Sequence, residues 1–365
     1  MEEIKIQIYG TFGPLCKSEE VLEEMIKAGM TGMRLNLSHT TLEKSKEYIE
    51  NYRLAAEQQN VIPQILIDMQ GPELRIGEMK ESSLEEGTIV LLEGIELYNC
   101  QEQTEKAVLC QQEVEDSKIR TADREVRIKI PVPSEVISSV KIGNEILLDD
   151  GKIRIRAEEI TQDGVYAKVL IGGTLKPHKS IKIVDVNVPM PVLTAHDIKN
   201  IRLAKEYGVT ALMQPFVFLG DDLKQVREIL KRENAEYLQI FAKIENRIGV
   251  DNLDNILPEA DLIVIARGDL GNDMPLWELP VIQKKIENIC KKYGKPYMVV
   301  TQMLASMEQN PLPTRAEVSD IFHAVYHGAE AVMVTGETAV GKYPVEVIRY
   351  LSNTAKEAVR YLNGI

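Results

Sequence analysis

Lys243 and Glu245 stand two residues apart at the end of an apolar run, Phe241-Ala-Lys-Ile-Glu-Asn246, and Asp269 follows in Ile265-Ala-Arg-Gly-Asp-Leu-Gly271. On a strand, side chains two apart leave the same face. A cation and an anion side by side in an oily strand, with a second carboxylate on the next one, suit a hard divalent cation and an anionic substrate together. That chemistry is phosphate handling. Taken alone, Lys243 and Glu245 fit an interior ion pair equally well. Arg267-Gly-Asp269 shifts the balance toward a site, because Gly268 and Gly271 let backbone approach a ligand closely.

Two further stretches carry similar groups. Arg34-Leu-Asn-Leu-Ser-His39 alternates, so Arg34, Asn36 and Ser38 share one face, where a guanidinium, an amide and a hydroxyl suit a phosphate and a metal shell. A solvated strand edge is the alternative reading. In Asp68-Met-Gln-Gly-Pro-Glu-Leu-Arg75 the Gly71-Pro72 pair forces a turn just after an acidic residue, which ordinary turn chemistry also explains. Thr301-Gln302 and Thr335-Gly-Glu-Thr338 complete a ring of polar strand ends. No GxxxxGK[ST] is present, which excludes P-loop chemistry, and no Ser-His-Asp set is evident. His39, His178, His196, His323 and His327 show no metal spacing, and the last two read as helix-surface residues.

The elements that position these residues alternate. Strands are expected at 4–8, 33–37, 65–69, 211–216, 239–244, 262–266, 297–301 and 331–335. Helical patterns fall at 19–28, 42–58, 193–207, 223–233, 249–257, 279–293, 315–326 and 345–361; in the last, Ile348, Leu351, Ala355, Val359 and Leu362 line one face. Repeated βα units of this kind fit a (β/α)8 TIM barrel, an α/β fold, better than an open sheet. The pattern breaks once, where short strands at 88–92, 126–130, 145–148, 152–157 and 166–171 are separated by turn residues such as Asp149-Asp-Gly151 and Gln162-Asp-Gly164. The expected division is barrel at 1–76, an inserted β-rich lid domain after strand 3 at 77–175, and barrel again at 176–365. An insertion at that point belongs at the C-terminal mouth of the barrel, where it could close as a lid.

The bulk properties agree with a packed soluble core. The chain has 365 residues, 44% hydrophobic and 27% charged, with a net charge of −13 that argues against non-specific nucleic-acid binding. No apolar run reaches the roughly 18 residues of a membrane span, and the first residues show no signal-peptide pattern. Cys16, Cys100, Cys110 and Cys290 form no CxxC pair, so reduced thiols in a cytoplasmic protein are expected.

Together these motifs resemble the pyruvate kinase family. The resemblance rests on Thr11-Phe-Gly-Pro14, Arg34–His39, Asp68–Arg75, Asp149–Gly151, Lys243–Asn246, Ala266–Gly271, Thr301-Gln-Met-Leu304, Pro311–Ala316, Thr335-Gly-Glu-Thr-Ala339 and Gly341-Lys-Tyr-Pro344, nearly the whole chain. It implies phosphoryl transfer from phosphoenolpyruvate to ADP, giving pyruvate and ATP, through a Mg-stabilised enolate. By resemblance, Lys243 neutralises the transferring group, and Glu245 with Asp269 holds Mg²⁺ or Mn²⁺. Backbone N–H groups of Arg267, Gly268 and Asp269 grip the substrate carboxylate, and Thr301 lies near the proton delivered to the enolate. Arg34 and Arg75 bind phosphates, with His39 and Lys179 assigned to the nucleotide. Asn36, Ser38, Asp68 and Met69 hold K⁺, and Glu73 matches the potassium-dependent form. A possible homo-oligomer through the barrel is implied.

The chain also departs from the family pattern. The family's further C-terminal α/β domain is expected to be absent, since this chain stops at Ile365. The family's Thr-Lys-Gly-Pro-Glu becomes Met69-Gln70-Gly71-Pro72-Glu73, its Ser-Phe-Val becomes Pro215-Phe216-Val217, and its Gly-Val-Asn-Leu-Pro-Gly becomes Ser180-Ile-Lys-Ile-Val-Asp185. These changes leave two alternatives: a paralogue acting on another 2-oxoacid or enol phosphate, or a catalytically weakened metabolite-binding protein.

Overall fold

The computed structural model describes residues 6–38, 40–71, 74–95, 128–186, 188 and 190–364. In chain order the barrel contributes β1 (Gln7–Thr11), β2 (Gly32–Asn36) and β3 (Gln64–Asp68). The next stretch holds β4 (Ser82–Leu84), β5 (Ile89–Gly94), β6 (Ile128–Val132), β7 (Glu145–Leu148), β8 (Ile153–Thr161), β9 (Gly164–Ile171), β10 (Gly173–Leu175) and β11 (Ile181–Ile183). The barrel resumes with β12 (Ala211–Gln214), β13 (Gln239–Ile244), β14 (Leu262–Ala266), β15 (Tyr297–Val300) and β16 (Ala331–Met333). Contacts divide the chain into two compact units, Met1–Pro72 with Val192–Ile365, and Glu73–Pro191.

The first unit is a closed barrel in the order β1-β16-β15-β14-β13-β12-β3-β2, every pair parallel. Parallel strands covered by helices are buried on both faces, and β14 accordingly reads Leu-Ile-Val-Ile-Ala, buried throughout. Alternate residues separate into two cores. Tyr9, Leu66, Met213, Phe241, Val264, Met298 and Met333 fill the barrel interior. Their neighbours, among them Ile8, Ile67, Leu212, Ile244, Ile265 and Val332, pack outward against the helices. The helices start where caps dictate: Ser18 accepts from the Val21 N–H, and Thr194 and Thr314 make capping boxes with Asp197 and Glu317.

Several expected bounds move. The Ile4-Ile6-Ile8 alternation draws the first strand toward the N-terminus, but the register Gln7↔Ala331 and Thr11↔Arg34 sets β1 at Gln7–Thr11. The helix expected at 249–257 is two short ones, Arg247–Asp251 and Leu253–Ile256, because Asn252 leaves helical geometry and donates back to the Ile248 carbonyl. In the final helix, Pro344–Leu362, the buried stripe includes Val347, Ile348, Leu351, Ala355 and Ala358, while Leu362 is exposed. Among the described residues no helix is long and apolar enough to cross a membrane.

The second unit is β-rich: a six-stranded sheet ordered β11-β7-β8-β9-β5-β6 and a two-stranded sheet β10-β4. Its core gathers Val90, Leu92, Ile130, Val136, Ile146, Ile155, Val165 and Val169. Asp149, Asp150 and Gly151 all carry positive φ, 47°, 55° and 82°, and turn β7 back onto β8. The expected limits of 77 and 175 are too narrow. Strand β11 pairs with β7 through Ile181↔Leu148, and Arg75 bridges Ser180, so the unit extends over Glu73–Pro191. A three-residue strand gives too short an alternation to be read from sequence.

Candidate active site

The site grows from strand parity. β2, β3 and β13 are in the barrel wall, and the alternation that points Leu66 and Phe241 inward also points Asp68 and Lys243 inward, one step further along. Lys243 Nζ lies 3.3 Å from Asp68 Oδ1 and 2.8 Å from Glu245 Oε1. Arg34 reaches the other oxygen of Asp68, with Nε at 2.8 Å and Nη2 at 2.5 Å from Oδ2. Asp68 therefore joins two cations from two strands. The Phe216 N–H donates to Glu245 Oε2 at 2.9 Å, from a backbone with φ of 54° just past β12.

Burial and charge set the ionisation of this group. Burial opposes the Asp68 carboxylate, but Lys243 and Arg34 outweigh it and hold the carboxyl below the usual range. Burial likewise opposes the Lys243 ammonium, yet Asp68, Glu245 and Asp269 together raise its pKa above that of a free lysine. Glu245 goes the other way: burial, with Asp269 adding to it, outweighs Lys243 and pushes the carboxyl up to about 7. A buried carboxylate held back by a neighbouring carboxylate is short of positive charge. Such a carboxylate is a candidate ligand for a hard cation. Among the described residues no set of three or more His, Cys, Asp or Glu side chains could hold a metal ion. A cation between Glu245 and Asp269 would thus keep coordination positions for oxygens that are not the protein's.

The next two strand ends are tied together. The short helix Arg267–Asp273 starts directly from β14. A Cβ on Gly268 would lie 3.1 Å from Thr301 Cγ2, so Thr301 rests on that glycine. Thr301 and Gln302 both have positive φ, 75° and 55°. Asp269 is exposed, whereas Glu245 is buried.

The structure brings Arg34, Asp68, Lys243 and Glu245 into contact, and Asp269 acts on Lys243 and Glu245 electrostatically. Asn36 Oδ1 accepts from the Ser38 N–H at 3.1 Å in the turn beyond β2. The Met69 side chain belongs to the outer core, which leaves its carbonyl as the group able to hold a cation. Arg75 and Lys179 lie in the second unit, where Lys179 pairs with Asp149 at 2.9 Å. His39 and Glu73 fall outside the described residues. Sequence reading missed Asp197, wholly buried, whose carboxylate accepts from the Gln70 and Gly71 N–H groups at 2.9 and 3.1 Å and so fixes the loop after β3. The Thr194-x-x-Asp197 capping pattern was its only signal. A surface groove of 880 Å³ lies elsewhere, lined by Leu312, Phe322 and Tyr350, and includes none of these charged groups.

A constellation of two cations and three carboxylates at the ends of β2, β3, β13 and β14 of a closed barrel can be compared with known proteins. The family described as pyruvate kinase, barrel domain, matches residues 3–348. The chain belongs to the pyruvate kinase family. It is 39% identical over 362 residues to a pyruvate kinase of Bacillus licheniformis, covering 98% of this chain and 58% of that protein. A Staphylococcus epidermidis pyruvate kinase is 38% identical, with 97% of this chain and 57% of the relative covered. One from Geobacillus stearothermophilus is 38% identical, with 96% and 56% covered. The chain thus spans less than two thirds of the length of the curated relatives it matches.

Proposed function

We propose that this chain transfers the phosphoryl group of phosphoenolpyruvate to ADP, forming pyruvate and ATP. The observation that carries this reading is Lys243, clasped between Asp68 and Glu245 at the inner end of β13. Phosphoryl transfer asks a protein mainly for positioning and charge neutralisation. Two cations, Arg34 and Lys243, face three carboxyl groups, Asp68, Glu245 and Asp269, so the acidic groups outnumber the basic ones. A negative site repels a phosphorylated acid. Bound cations are therefore a condition of substrate binding.

Glu245 and Asp269 would hold Mg²⁺ or Mn²⁺, and Asn36, Ser38, Asp68 and the Met69 carbonyl would hold K⁺. The divalent ion, when bound, supplies positive charge to the substrate oxygens. Lys243 would lie along the transferring phosphoryl group, and Arg34 would bind its oxygens. Backbone N–H groups of Arg267, Gly268 and Asp269 would hold the substrate carboxylate, and Thr301 would stand near the carbon that takes the proton. Arg75, Lys179 and His39 are the nucleotide candidates.

One observation favours a second reading for the ADP half. The loop after β3 presents Gln70, not a cation, and its N–H groups are committed to Asp197. An enol phosphate or 2-oxoacid substrate handled without a nucleotide would fit that loop. Pyruvate release is to be measured with and without ADP, Mg²⁺ and K⁺. Release that needs all three supports the kinase. Proton exchange at pyruvate C3, or oxaloacetate decarboxylation, without ADP supports the second reading. Inactivity with every nucleoside diphosphate in both ions overturns the first.

A further inference from the structure

Thr301 is β-branched and left-handed, and such a backbone is retained only where its surroundings force it. One guanidinium is bonded on both sides of Thr301. Arg267 Nε donates to the Val300 carbonyl at 3.2 Å and Nη2 donates to the Thr301 carbonyl at 2.7 Å. These are the two carbonyls on either side of Thr301, so one planar fork sets the direction of both peptide planes. Nη2 also rests 2.9 Å from Met303 Sδ, and Nη1 donates to Asp320 Oδ2 at 2.7 Å. Asp320 projects from the helix Arg315–Tyr326, and the Arg267 side chain is only 12% exposed.

We propose that the Arg267 side chain, oriented by Asp320, is a positioning residue that holds Thr301 in its left-handed conformation over Gly268. The catalytic part of this proposal rests on the reading that places Thr301 beside the proton-accepting carbon. Arg267 would then act twice from one position. Its backbone begins the helix assigned to the substrate carboxylate, and its side chain sets the residue across from it. Lysine cannot replace it, because an ammonium offers no rigid fork to span two carbonyls.

The test has two arms. In the first, unfolding by guanidinium chloride is measured for the wild type, Arg267→Lys, Thr301→Gly and the double variant. Glycine adopts positive φ freely, so the clamp should matter less once residue 301 is glycine. Arg267→Lys is expected to lower the folded-to-unfolded ratio about 30-fold with Thr301 present and less than about 5-fold with glycine there. Equal losses in both backgrounds overturn the clamp. Should Arg267→Lys not fold, Asp320→Asn takes its place in the same cycle.

In the second arm, Asp320→Asn is expected to lower kcat for pyruvate release about 10-fold, with KM for phosphoenolpyruvate and Mn²⁺ affinity within about 3-fold. Asp320→Glu should restore part of the loss. A raised KM with kcat unchanged overturns the positioning role. A wild type that releases no pyruvate would defeat the catalytic reading, while the unfolding cycle would still decide the clamp.

Discussion

Replacing Lys243 by methionine removes one charge and little volume, and its consequences can be worked through from two distances. At an effective dielectric near 20, a unit pair at the 2.8 Å of Lys243–Glu245 is worth roughly 6 kcal/mol, and at the 3.3 Å of Lys243–Asp68 roughly 5. Desolvation of the ammonium offsets most of this, so the expected net loss on removing one partner is about 3–5 kcal/mol. The loss depends on pH because Glu245 can take up a proton. Its carboxyl, already at about 7, loses the cation that lowers it. A carboxyl with a raised folded pKa contributes stability at low pH that is lost as pH rises from its unfolded value through its folded one. Lys243→Met moves the folded value further up, so the variant should fall further behind the wild type at pH 8 than at pH 6 in metal-free guanidinium titrations. Pyruvate release should drop at least about 10³-fold, the scale of one charge that meets the transition state. Mn²⁺ affinity should hold or tighten, since no ammonium then competes for Glu245 Oε1. Pyruvate release within tenfold of wild type would refute the charge role. Loss of Mn²⁺ binding together with activity would show Lys243 to be scaffold for the carboxylates instead.

Asp68→Asn keeps the shape that joins Arg34 and Lys243 but removes their shared charge, and should cost about 3 kcal/mol in denaturant unfolding. Glu317→Gln tests a cap: the carboxylate accepts from Ser306 N and Oγ and from Thr314 N and Oγ1, and although burial opposes its ionisation, those bonds hold its pKa low. The substitution should cost about 1–2 kcal/mol at pH 7. That stability belongs to the ionised form, so thermal melts of variant and wild type should converge as pH falls below the ordinary carboxylate range. Gly71→Ala meets both a φ of 62° and a Cβ position 2.5 Å from Pro215 Cγ, and should lower stability by about 1–3 kcal/mol. Adding Pro215→Ala should return the steric part, which a melting curve of the double variant checks.

The barrel was legible because its signal is redundant. β13 and β14 were read with their observed bounds, since buried parallel strands make short continuous apolar runs that turn polar only at their ends. Lys243 and Glu245 betrayed the site for the same reason: charge in an apolar run is conspicuous. Asp197 was not legible, because an Asp three residues after a Thr is an ordinary cap, and its second task, holding the Gln70 and Gly71 N–H groups, depends on a loop 126 and 127 residues away. The Arg267 fork was hidden for a similar reason. Its motif drew attention to the glycines and to Asp269, whereas the side chain works on carbonyls of the next strand. Positive φ at Thr301 leaves no trace in a residue type that disfavours it. The limits of the β-rich unit were misplaced because β11 is three residues long and three other strands, β8, β9 and β10, separate it in sequence from its partner β7.

β1 is hydrogen-bonded on one side to β2 and on the other to β16. During synthesis, therefore, the first barrel strand leaves the ribosome with one flank open and waits for Ala331–Met333 before the ring can shut. Glu73–Pro191 is continuous in sequence and has its own core, so it can form while most of the barrel is still being made. Until the last strand arrives, the exposed edges of β1 to β3 offer unpaired peptide groups to any passing chain. The hazard of making this protein is concentrated in that interval, and a nascent-chain truncation before residue 331 should be held by chaperones while one extending past the final helix is released.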